Sequence, residues 1–145
     1  MQVMIEKVVT YITQKDRLLV FRHTRFPEAG IQVPAGTVRA GEDLLDAAYR
    51  EAIEETGLQT SELEFCGKLG EDTYLLEDES ELITIRRHFY HFKFTGQSLE
   101  RWLHYETDPS DGSPAPIEFE LYWIKHPDDI PALAGNQGVM LPKLK

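Results

Sequence analysis

The chain has a single cysteine, Cys66. No internal disulfide can hold it together, and the thiol usage fits a reducing compartment. Cys66 itself reads as a small buried residue beside a strand. No run approaches the roughly 18 apolar residues that a membrane span requires. The first seven residues, MQVMIEK, lack the basic-then-apolar order of an export leader. The expected location is therefore cytoplasmic, with no membrane partner. Base is also scarce: 15 Lys and Arg face 25 Asp and Glu, a formal charge of −10. Such a field repels phosphate backbones and speaks against a nucleic-acid polymer as partner. The five histidines, His23, His88, His91, His104 and His126, show no ligand spacing on a helix and have no CxxC partner, so zinc is unsupported. No serine occupies a nucleophile elbow, and there is neither an internal repeat nor a low-complexity tract.

What is present is ordinary for a globular chain. At 145 residues, 41% apolar and 28% charged, it is long enough to bury a core, and one domain over residues 1–145 is expected. Residues 3–13 and 17–23 are rich in β-branched and apolar side chains around a polar turn, which predicts an antiparallel hairpin. A loop with Pro27 and Gly30 follows, then a short strand at 31–33 stopped by Pro34. Beyond a central helix, residues 62–69 and 73–76 read as short strands, 77–81 as an acidic turn, and 82–94 as a long strand with 98–105 returning beside it. The segment 107–116 has three prolines and a glycine and reads as a loop. A last strand spans 117–125. The tail predicts one or two short helices, interrupted by Pro131 and near Gly135 and Gly138. Strands around one helix with a helical tail imply an α/β sandwich on a mixed sheet.

The central helix carries the chemistry. Asp43 is its predicted N-cap, Asp46 places negative charge in the first turn, and Gly57 ends it near Thr56. Leu45, Ala48 and Ala52 form a narrow stripe of mostly small residues, suited to lying close against a sheet. Glu51, Glu54 and Glu55 share an arc of about 100°. Three like charges so close repel one another, and relief comes from protons, from basic neighbours or from a hard divalent cation. Arg50 reaches Glu54 at i+4 but cannot satisfy three glutamates. A solvated acidic face is the commoner meaning of such a cluster.

The spacing around the cluster is more specific. Gly36 is followed by five residues and Glu42, then seven and Arg50-Glu51-Ala52, one residue, Glu54-Glu55, one residue, and Gly57-Leu58. This pattern resembles the Nudix box, the signature of the Nudix hydrolase family, with all its fixed positions present. Ala52 stands where the family usually has a bulky aliphatic residue. The resemblance implies a Nudix-like α/β/α sandwich around a mixed β-sheet. It also implies metal-dependent hydrolysis of the pyrophosphate linkage in a nucleoside diphosphate linked to another moiety. Carried over by position, Glu51, Glu54 and Glu55 bind Mg²⁺ or Mn²⁺, with the Gly36 carbonyl as a further ligand. Arg50 holds the glutamates by ion pairing, and Glu42 supports the loop. Family members differ in their general base. Here Glu118 and Glu120, on one face of a strand ahead of Trp123, are the candidates, against the plainer reading of an exposed polar face.

Clues to substrate are weaker. Alternation sends Arg86 and His88 to one face and Arg87 and Lys93 to the other, to meet phosphate or to balance acid. Phe26, Trp102 and Tyr105 can stack on a base or pack in the core. Asn136 is placed like residues that reach the nucleotide base in relatives. The partner expected is a small nucleotide-type substrate, with a homodimer as one option for assembly. Two other readings stay open: a nucleotide-binding module without catalysis, and a purely structural acidic domain.

Overall fold

The computed structural model describes residues 2–97, 99–109 and 113–144. Ser98, with which the predicted return strand begins, the centre of the 107–116 loop at residues 110–112, and the last residue of the tail lie outside that set. Among the described residues no helix is long and apolar enough to cross a membrane.

Eight strands form one mixed sheet. They are β1 (Gln2–Gln14), β2 (Arg17–His23), β3 (Ile31–Gln32), β4 (Ala35–Thr37), β5 (Leu63–Asp78), β6 (Glu81–Phe94), β7 (Arg101–Glu106) and β8 (Ile117–Lys125). The order is β5-β6-β1-β2-β8-β7. β1 lies parallel to β6 over residues 2–13. The predicted hairpin of β1 and β2 pairs only at its tip, Thr13 with Leu18 and Gln14 with Arg17. Beyond that the two strands part, and the short strands enter the gap: β3 pairs with β2 at Phe21 and Arg22, and β4 pairs with β1 at residues 7–9. This split delivers Gly36 to the middle of the sheet, opposite Val8.

Side chains alternate across the sheet. Val8, Ile12, Phe92, Phe119 and Leu121 pack with Ala47, Ala48 and Ala52 of helix α1 (Leu44–Thr56) on one face. Val9, Tyr11, Val20 and Phe89 pack with Leu133, Met140 and Leu141 of the tail on the other. The α/β sandwich is the observed fold, with α1 on one face and the tail opposite. The tail holds a 3-10 run, Ala134–Lys143, broken near its start, where Gly135 and Asn136 both take left-handed conformations (φ 58° and 56°), and with Pro142 lacking a donor inside it.

Three strand expectations change. Residues 63–78 form one long strand, since the irregularities beside Gly67 and Gly70 are bulges and not breaks. β7 does not lie beside β6, whose two edges are taken by β5 and β1; it pairs with β8 at the far edge. The stretch that leads into α1 adds a short strand of its own, β4, which holds Gly36. Cys66 is exposed, not buried, because the bulge between Phe65 and Gly67 takes it out of the ladder of an edge strand.

Candidate active site

Helix α1 begins and ends where its local chemistry dictates. The Asp43 carboxylate accepts the Leu45 and Asp46 N–H groups, and Gly57 takes a left-handed conformation with its N–H on the Ile53 carbonyl. The apolar face of α1 presses on the sheet, so the neighbouring carboxylates are carried inward with it. Glu51 is 1% exposed and Glu55 is 7% exposed.

Buried charge requires partners. Arg50 supplies most of them: Nε and Nη2 reach the two oxygens of Glu42 at 2.7 and 2.9 Å, and Nη1 lies 2.7 Å from Glu51 and 3.4 Å from Glu54. Its Nη2 also donates to the Thr37 carbonyl at 3.1 Å, tying the helix to β4. The Arg50 guanidinium, with help from the Arg39 N–H, holds the Glu42 carboxyl down to about 2. Glu55 accepts the Ala35 N–H at 2.7 Å. Burial first, then the charges of Glu106 and Glu51, push its proton affinity well above that of an ordinary carboxylate.

Glu106 is the residue that sequence reasoning missed. β7 is fastened to the end of α1 by two side chains: the Trp102 indole donates to the Thr56 carbonyl at 2.8 Å, and His104 Nε2 donates to the Glu54 carbonyl at 2.9 Å. Residues 102, 104 and 106 alternate onto one face, so Glu106 follows them inward and is 4% exposed. Carboxylate oxygens of Glu51, Glu54 and Glu106 lie within 4.8 Å of one another. The available signal was the same two-residue period: running the predicted strand one residue past Tyr105 puts Glu106 on the face of Trp102 and His104.

Glu118 and Glu120 do share a face, as alternation predicts, but it is the face turned away from α1. Phe119 and Leu121 point to the helix side. Glu118 accepts from Thr24 Oγ1 at 2.5 Å and from the Tyr105 hydroxyl. Glu120 is paired with Arg22 at 2.7 Å and Arg101 at 3.1 Å. These partners hold both carboxyls below their usual range, and neither residue joins the group on α1.

The donor set suits a hard divalent cation: several converging carboxylates, partly neutralised, in a largely desolvated place. Gly36 adds a steric observation. A Cβ at this position would lie 2.1 Å from Glu51 Cδ and 2.3 Å from both carboxylate oxygens. Only glycine lets the β4 backbone and that carboxylate meet.

Beside this group opens a cleft of about 720 Å³, within the usual range for small-molecule sites. Its lining includes the acids Glu55 and Glu106, the Gly36 backbone, the bases Lys7, Arg25 and Arg87, and the rings of Phe26 and Tyr74. Phe26 is exposed and meets His23 edge-on at 4.8 Å, whereas Trp102 packs on α1 and Tyr105 serves Glu118. Arg87 is committed to Asp72 through contacts of 2.9 and 2.6 Å and to the Gly135 carbonyl at 2.7 Å. Arg86 and His88 both meet Glu6, at 3.6 and 2.5 Å. Lys93 makes no ion pair among the described residues. Asn136 is exposed and outside the cleft lining; its neighbours Gly135 and Gln137 line it.

The chain belongs to the Nudix hydrolase family, whose NUDIX domain matches residues 6–125. Solved structures share the fold at low identity. A MutT NUDIX hydrolase from Burkholderia pseudomallei is 20% identical, with 98% of each chain covered and a TM-score of 0.59. A C. elegans Ap4A hydrolase is 18% identical, with 96% of this chain and 93% of that one covered and a TM-score of 0.57. An E. coli dihydroneopterin triphosphate pyrophosphohydrolase is 17% identical over 65% and 70% of the two chains, with a TM-score of 0.52. No match is found among curated protein sequences.

Proposed function

We propose that this enzyme hydrolyses a phosphoanhydride bond in a nucleoside diphosphate linked to a further group, using Mg²⁺ or Mn²⁺ held by Glu51, Glu54 and Glu106, with the Gly36 carbonyl adjoining. The observation that carries the reading is the convergence of three carboxylates from two elements within 4.8 Å beside the cleft. The names of two proteins of similar fold, for Ap4A and for dihydroneopterin triphosphate, accord with a phosphoanhydride substrate.

A divalent ion bound there supplies Lewis acidity to a water and to the phosphoryl oxygens. The chain's own residues do the remainder. Arg50 fixes the Glu51 and Glu54 carboxylates and is itself fixed by Glu42. Glu55 accepts the Ala35 N–H and lines the cleft beside Glu106; a carboxylate so placed is suited to take a proton from the attacking water. Lys7 lines the cleft and has no ion-pair partner among the described residues; it is suited to a phosphate oxygen. Phe26 offers a face to a base.

Hydrolysis assays with identified products, over nucleoside triphosphates, nucleotide sugars and dinucleoside polyphosphates, test the proposal. Glu54→Gln and Glu106→Gln each lower kcat about 100-fold or more with the fold retained, while Glu118→Gln and Glu120→Gln stay within about threefold. Full activity in the first pair removes the carboxylate group as the active site. Saturable nucleotide binding with no product across the panel favours a binding module instead.

A further inference from the structure

At the end of the sheet away from α1's carboxylates, the β1–β2 turn, the end of β6 and the residue after β8 line a separate, smaller cavity of about 290 Å³. Thr13, which lines it, is five residues along β1 from the Val8–Gly36 pair, about 17 Å at the rise of a strand. The two places are separate.

The lining is unusual for this chain. Acid exceeds base by ten residues overall, yet among the described residues the cavity wall holds Lys15, Arg17, Lys93, His91 and His126 and no carboxylate. Arg17 is partly engaged, with Nη1 on Glu100 at 2.5 Å, Nη2 on Gln14 at 3.3 Å and its guanidinium over the Trp123 ring. Lys15 and Lys93 have no ion-pair partner among the described residues. Glu64, opposite Lys93 in the β5–β6 ladder, makes no ion pair with it, and Asp16 in the turn accepts the His126 N–H through its backbone carbonyl. His91 is buried, with Nε2 on the Thr13 hydroxyl at 2.8 Å. His126 Nδ1 is also buried and has no hydrogen-bond partner among the described residues.

We infer that this cavity is a binding site for a phosphate group, separate from the hydrolytic centre. Lys15 and Lys93 supply the charge, His91 and His126 line the wall, and Phe94 and Leu144 add apolar surface. Two free ammonium groups and two imidazoles around one concavity match a compact dianion with several acceptor oxygens. The field of the chain elsewhere repels anions, so the local reversal of sign concentrates them here. Free orthophosphate and the phosphate of a nucleoside monophosphate present the same chemistry.

The probe is inorganic phosphate, titrated into the full chain at fixed ionic strength with EDTA present so that no divalent metal carries it to α1. Amide and imidazole NMR resonances report the outcome. Saturable shifts at Lys15, His91, Lys93 and His126, with Glu55 and Glu106 unmoved, are the expected result. In Lys15→Glu/Lys93→Glu the half-saturation concentration rises at least tenfold while hydrolysis is unchanged. Lys15→Gln/Lys93→Gln serves if charge reversal disturbs the turn, and shows a smaller rise in the same direction. Adenosine monophosphate saturating below orthophosphate identifies an ester as the ligand; the reverse order identifies the free ion, and both support the site. Linear, unsaturable shifts, shifts confined to α1, or equal responses in wild type and the double variants overturn it.

Discussion

At Gly36 the β4 backbone and the Glu51 carboxylate compete for one volume, with 2.1 Å between a virtual Cβ and Glu51 Cδ. Gly36→Ala displaces the carboxylate, since Arg50 and the buried surroundings leave it little room to yield. On the proposed function, activity falls about 100-fold, the usual cost of an ångström's misplacement at a reacting site, with an unchanged circular dichroism spectrum; a fully active variant contradicts this. Two other glutamates give stability opposite dependences on pH. The folded pKa of Glu42 is about 2 against an ordinary 4.5. Its stabilisation is complete above about 4.5 and lost as pH falls toward 2. Glu42→Gln flattens that acid limb and costs about 1–3 kcal/mol at neutral pH. Glu55 has the reverse sign: its folded proton affinity is raised, so its stabilising contribution is present below about 4.5 and lost as pH rises through the raised value. In metal-free protein, urea unfolding of Glu55→Gln therefore lacks the decline with rising pH that wild type shows.

At the scale of elements, α1 and β7 act as a pair. The boundaries of α1 were readable because caps are local: Asp43 and Gly57 act through residues two to four positions away. The partner of β7 was not readable, because a strand's neighbour depends on which sheet edges are already filled. Gly57 serves both elements, for its positive φ ends the helix and its missing Cβ leaves room for His104 Nδ1, which would be 2.8 Å away. Gly57→Ala costs about 1–2 kcal/mol from the left-handed backbone alone, with a further loss as His104 is displaced. Chemical denaturation measures the sum. An unchanged midpoint shows that His104 and the backbone relax freely, against the role given to this contact.

At the scale of the molecule, the cleft exists because β1 and β2 part beyond their turn and the tail closes one side. Arg87, 7% exposed in its side chain, joins Asp72 of β5 to the Gly135 and Asn136 carbonyls, while Tyr11 donates to the Gln137 carbonyl at 2.5 Å and accepts the Met140 N–H at 3.1 Å. Burial raises the Tyr11 hydroxyl to about 12, so this latch stays intact through the physiological range. Asp72→Asn leaves Arg87 buried without its charge partner, at a cost of about 3–5 kcal/mol. Hydrogen exchange is expected to quicken across residues 134–143 before it does in β1 or β6; uniform exchange counts against a local latch.

Local chemistry was enough for α1, its caps, the carboxylates sharing one helix face, the strand at 117–125 and the family resemblance, because each rests on one continuous stretch of chain, the longest being Gly36 to Leu58. The tertiary structure alone decided which distant carboxylate joins them. Glu106, and not Glu118 or Glu120, meets Glu51 and Glu54, since that choice turns on strand order and on which face of the sheet α1 covers. Both are set by long-range pairing and packing, which no local spacing encodes.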